Sequence, residues 1–182
     1  MPNKKILFLL IVVDLIWTIS AIVYDWEKIL TAPIYLWSFI LICPIFPLLL
    51  MISWIYIARG KSNQFLIAFA AIPSLIYFVA ALLYYPTWMI LNGFDILAFG
   101  QIFWVAVYGL QGIYLLNNFK IKNFPTIIVG LFLVASFAIQ YFTKTFGLFD
   151  TTNFSPWLVK GEYLVLVIIL ISTSIVQMKR AK

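Results

Sequence analysis

Histidine is missing from this chain, cysteine occurs once, and only 10% of the 182 residues carry a charge. Without histidine, the commonest metal ligand and the usual haem ligand are gone, and so is the side chain best suited to proton exchange near neutral pH. Neither a Ser-His-Asp nor a Cys-His arrangement can be assembled. The single thiol, Cys43, excludes an internal disulfide. The acidic residues number six and are scattered. Their one close pair, Asp25 and Glu27, stands beside Lys28 and reads as a solvated helix end. No glycine-rich phosphate loop is present. The expectation is therefore no bound cofactor, no metal site and no enzyme, with an intramembrane lipid enzyme built from a few groups as the one catalytic option left.

What the chain has in excess is apolar surface. It is 65% hydrophobic, whereas soluble domains run about 45–50% apolar, and its mean hydropathy is +1.08. A transmembrane helix needs about 20 apolar residues, and six such stretches use up most of the length. The expected spans are Ile6 to Tyr24, Ile34 to Ile57, Phe65 to Tyr85, Leu97 to Leu116, Thr126 to Phe142 and Tyr163 to Met178. The opening Met1-Pro-Asn-Lys-Lys resembles a signal peptide, but the apolar run behind it exceeds the usual h-region of about 7–15 residues and reads as an uncleaved first span. The expected fold is all-α, a compact bundle of six transmembrane helices forming a single domain over residues 1–182.

Charge placement orients the bundle, because Lys and Arg near span ends resist translocation. In the six-span arrangement Lys4, Lys5, Arg59, Lys61, Lys120, Lys122, Lys179, Arg180 and Lys182 share one side, and Lys28, Lys144 and Lys160 lie on the other. Both termini are thus expected in the cytoplasm and the protein in the cell membrane as a multi-pass chain. Asp25, Glu27, Asp95, Asp150 and Glu162 all fall outside, leaving Asp14 alone within a span. The cytoplasmic basic fringe suits anionic lipid head groups, at roughly 1 kcal/mol per residue close to the surface, and not nucleic acid.

Asp14 lies near the middle of the first span, where a carboxylate costs roughly 2.5–3.5 kcal/mol on insertion scales. It is expected to face other helices and to bond a neutral partner: Gln101 or Gln111 in the fourth span, Gln140 in the fifth, or nearby Thr18. This set is the candidate intramembrane polar site. In the second span, Pro44 and Pro47 each remove a backbone hydrogen bond and are expected to kink the helix; Pro73 in the third offers another bend. The stretch from Pro86 to Asp95 and the connection from Lys144 to Glu162 read as segments on the outer membrane surface. Aromatic residues, among them Tyr84 and Tyr85 outside and Trp54 inside, read as the interfacial belt. Asn153-Phe-Ser155 matches a glycosylation acceptor. Ala68 with Ala71, Ala70 with Ser74, and Gly109 with Gly112 have spacings that suit close helix contacts.

Several stretches carry a family resemblance: Asp14-Leu-Ile-Trp17, Tyr24-Asp-Trp26-Glu, Pro33 with Trp37-Ser-Phe39-Ile-Leu-Ile-Cys43-Pro44, Gly109-Leu-Gln111-Gly112 and Ala135-Ser-Phe-Ala-Ile-Gln140-Tyr141. In these and in the order of elements the chain resembles the YpjA-like small membrane proteins of bacteria and archaea, whose biochemical function is unknown. Ile42, Gln111, Ser136 and Gln140 stand where that resemblance leads one to expect acidic groups. The resemblance thus implies a fold, together with loss of any metal or proton chemistry that such acids carried.

Two functions fit these readings. The leading expectation is a non-enzymatic accessory or stabilising subunit that packs against other membrane protein subunits. The alternative is a small transporter or binder of a lipid or other apolar solute, with a polar cavity around Asp14 beside the bent second span.

Overall fold

A computed structural model describes residues 3–24, 26–31, 42–143, 145–146, 149–150 and 154–181. Helix α1 spans Lys4–Tyr24, short α2 Trp26–Thr31, α3 Ile42–Ala58, α4 Gln64–Asn92, α5 Ile96–Asn118, α6 Asn123–Thr143 and α7 Pro156–Ala181. The described chain is otherwise irregular, except for a two-residue antiparallel ladder in which Thr145 pairs with Asp150 and Phe146 with Phe149. Five of these helices are long and apolar enough to cross a membrane. The expected second span is represented by the shorter apolar helix Pro44–Ala58, and its first part falls outside the described residues.

Helix α4 is the axis of the bundle and lies against α3, α5, α6 and α7, while α1 packs on α3 and α6 on α7. Its start is marked by Asn63, whose side-chain oxygen accepts the backbone N–H groups of Phe65 (3.0 Å) and Leu66 (3.1 Å), satisfying donors that have no partner within the helix. Its end is Gly93, at φ +92°, a backbone conformation that favours glycine. The 29 residues extend about 43 Å at 1.5 Å per residue, beyond a hydrocarbon core of about 30 Å. The helix therefore continues through Pro86, and most of the stretch expected to lie flat on the outer surface is its last two turns.

The closest helix pair is α4 with α5. A Cβ added at Gly112 would come 2.7 Å from the Ala71 carbonyl oxygen and 3.1 Å from Ser74 Cβ, and one at Gly109 would strike Phe78. Ala68, Ala70, Ala71 and Ser74 are all buried. The small-residue spacings are thus a contact surface, on which backbones approach because no side chain holds them apart.

In α3, Pro44 occupies the first turn, where an N–H has no intrahelical acceptor to lose. Pro47 lies inside the helix and deprives the Cys43 carbonyl of its usual donor. The segment from Ile42 to Ala58 stays α-helical through both prolines. The helix is therefore continuous and forgoes one backbone bond at Pro47. Pro73 and Pro86 are likewise carried inside α4.

Hydrogen bonds between connections define the two ends. The Lys122 backbone N–H donates to Gln64 Oε1 at 3.1 Å, Gln177 Nε2 donates to the Leu116 carbonyl at 3.0 Å, and the Arg180 guanidinium donates to the carbonyls of Leu116 and Asn117. One end of the bundle thus gathers the turn before α4, the turn between α5 and α6, and the last turn of α7. At the other end, the Phe154 ring stacks on Tyr84, with centroids 5.1 Å apart at 19°. Phe154, expected on the membrane surface, is buried.

Candidate intramembrane polar site

Asp14 is the eleventh of the 21 residues of α1 and is only 2% exposed. It shares one helical face with Trp17, Thr18 and Ala21, at the three- and four-residue spacings that bring side chains together. That face meets α5. Gln111 Nε2 donates to Asp14 Oδ1 at 2.8 Å, and the Gln111 carbonyl oxygen accepts from the indole Nε1 of Trp54 on α3. A donor-to-acceptor chain therefore runs from α3 through α5 to α1, with every member buried. The Thr18 hydroxyl turns instead to the Asp14 backbone carbonyl at 2.7 Å.

The partner expected for Asp14 is thus found in Gln111. Gln101, ten residues earlier on α5, is half-buried; at 1.5 Å per residue it lies about 15 Å along the axis and is not part of this chain of bonds. Gln140 belongs to a second polar cluster: its Nε2 donates to the Tyr77 hydroxyl at 3.1 Å and to Ser136 Oγ at 3.0 Å. The four candidate residues therefore divide into a bonded pair, a separate cluster and a lone glutamine.

Trp54 and Trp17 are the members that sequence reasoning missed. Trp54 is fully buried, so it is a core residue and not part of an inner belt; Tyr84 and Tyr85 are likewise buried within the protein. Trp17 stacks on Trp104 of α5, with centroids 5.0 Å apart at 25°, and meets Tyr108 at 6.4 Å. Along α1 the contacts run from Asp14 to Trp17, and along α5 from Gln111 back to Trp104, so the two helices are antiparallel. The Lys4 end of α1 therefore lies with the Asn118 end of α5, where Arg180 is also bound.

Two polar atoms at this site have no hydrogen-bond partner among the described residues: Asp14 Oδ2 and Trp17 Nε1. An unpaired polar atom in an apolar interior costs about 1–3 kcal/mol, and most buried groups in folded proteins avoid it. Among the described residues no three His, Cys, Asp or Glu side chains come together, and the carboxylate stands without a second acid. The chemistry open to the site is hydrogen bonding to a small polar group. No family model, curated protein or solved structure matches the chain.

Proposed function

We propose that the protein is a six-span cell-membrane protein with both termini in the cytoplasm, and that it binds a lipid or other apolar solute carrying one small polar group. The observation that carries this reading is the buried Asp14 carboxylate, held through one oxygen by Gln111 and unpaired at the other. A carboxyl group retained only to join helices would be expected to use both oxygens, since each unmet acceptor at that depth costs stability. The test is lipid mass spectrometry on gently solubilised protein. Wild type should retain a stoichiometric neutral lipid that Asp14→Asn loses at unchanged expression. Loss of lipid only in proportion to expression would make Asp14 a structural residue.

A second reading, an accessory subunit of a larger membrane assembly, is favoured by the outer surface of α7, where Leu164, Ile168, Ile171 and Ile175 are exposed. Mild extraction followed by mass spectrometry discriminates: a stable heteromer supports it, and a lone monodisperse chain opposes it. The YpjA-like relationship stays part of this proposal and rests on the motifs quoted above. The basic fringe at the cytoplasmic end would hold anionic lipid head groups as a general attraction and not as a built site.

A further inference from the structure

We infer that the seam between α4 and α6 holds one anionic phospholipid of the leaflet at the basic end, at a place separate from Asp14. The basic fringe as a whole attracts acidic lipids without selecting a position; over this seam it meets a surface that does. Arg59 and Lys61 lie in the turn before α4, and Lys120 and Lys122 in the turn before α6. One hydrogen bond joins the two turns, from the Lys122 backbone N–H to Gln64 Oε1 at 3.1 Å. All four basic side chains are exposed, and none of them has an ion-pair partner among the described residues. The described acids bring no relief, because Asp14 lies at mid-helix and Glu27, Asp95, Asp150 and Glu162 belong to the opposite end. Like charges gathered without a counter-charge favour an anion.

Below those cations the seam is aromatic. Phe65 and Phe124, each the second residue of its helix, meet edge to face with centroids 5.7 Å apart, and Phe69 meets Phe132 at 5.9 Å. Phe132 lies about 12 Å beyond Phe124 along α6 at 1.5 Å per residue, within the roughly 15 Å of hydrocarbon that one leaflet supplies. Phe65, Phe124 and Phe132 are exposed, so an apolar strip starts under the lysines and descends into the lipid. An occupant that uses both parts is negative at its head and alkyl below it. Free phosphate or an acidic peptide would use the cations alone. A zwitterionic phospholipid would use the strip alone, since its ammonium offsets its phosphate.

The experiment compares retention of phosphatidylglycerol and phosphatidylcholine, matched in acyl chains, by the full chain in native mass spectrometry. Wild type should keep one phosphatidylglycerol, about tenfold more strongly than phosphatidylcholine. Lys61→Gln with Lys122→Gln should weaken that retention at least about tenfold, since each basic residue near the surface contributes roughly 1 kcal/mol. Lys4→Gln with Lys5→Gln removes the same charge from α1, which packs on α3, and should change retention by less than about twofold. Phe124→Ala should weaken retention of both lipids. Equal loss from the two double variants would overturn the site and leave only the general attraction of the fringe. Equal retention of the two lipids would overturn the anionic head, and full retention by Phe124→Ala would overturn the apolar strip. Displacement of phosphatidylglycerol by inorganic phosphate or a polyglutamate peptide, at ionic strength matched with chloride, would overturn the lipid as the occupant.

Discussion

At the scale of single residues the site turns on Gln111, which bonds in both directions and belongs to neither outer helix. Gln111→Leu removes one acceptor and one donor together, orphaning Asp14 Oδ1 and Trp54 Nε1. It should lower stability by about 2–4 kcal/mol, read as a fall in the thermal midpoint of detergent-solubilised protein, with each orphan costing about 1–3 kcal/mol. Combining it with Asp14→Leu should recover part of the loss, because the buried carboxyl no longer lacks its donor. The coupling in that cycle should approach the ~0.6 kcal/mol typical of hydrogen bonds between membrane helices; a fully additive double mutant would mean that the Asp14–Gln111 bond contributes nothing. How much of this was readable beforehand depends on residue chemistry. A lone acid in a span without a cation at matching depth demands a neutral amide, so the sequence narrowed the partner to three glutamines and a threonine. Choosing Gln111 required the phase of α5 relative to α1. Trp54 was lost to the belt because an indole near a span end gives the same sequence signal whether it faces lipid or core.

At the scale of elements, α4 and α5 stand out for how little separates them. Gly112→Ala places a methyl 2.7 Å from the Ala71 carbonyl oxygen and should cost about 1–3 kcal/mol as the helices move apart. Gly100→Ala, on the same helix with nothing within 4 Å of the added carbon, should be neutral or slightly stabilising. Equal melting shifts for the two variants would mean that the close approach contributes nothing to stability. The spacing of small residues made this seam legible. The helix ends were less so: α4 runs to Asn92 and α7 begins at Pro156, both well beyond the apolar stretches that suggested them. Hydropathy reports where lipid would be tolerated, whereas backbone hydrogen bonding carries a helix on into the head-group region. The prolines interrupt none of these helices. Pro44 sits where a helix has no bond to lose, and Pro47, Pro73 and Pro86 each forgo one bond while packing keeps the rest of the rod in place.

At the scale of the whole molecule, orientation is the property most exposed to test. Reporter fusions at both chain ends should register on the cytoplasmic side. Replacing Arg59 and Lys61 with Gln while adding lysines beside Asp95 should raise the fraction of inverted molecules; an unchanged distribution would separate orientation from the basic residues that suggested it. The geometry adds an independent reason to expect the ends together, because α1 is antiparallel to α5 and Arg180 is anchored at the same end of α5. Charge counting led to that arrangement without knowledge of any contact. The order in which helices surround α4 had no counterpart in the sequence, since exposed and buried faces are equally apolar where lipid is the solvent. The length of α4 also has a mechanical effect. A rod longer than the oily slab around it must lean or protrude, so bilayers made from shorter or longer acyl chains should change its slant before they disturb its shorter neighbours. Any such slant would carry the α5 seam with it and shift Gln111 against α1, making the grip on Asp14 responsive to membrane thickness.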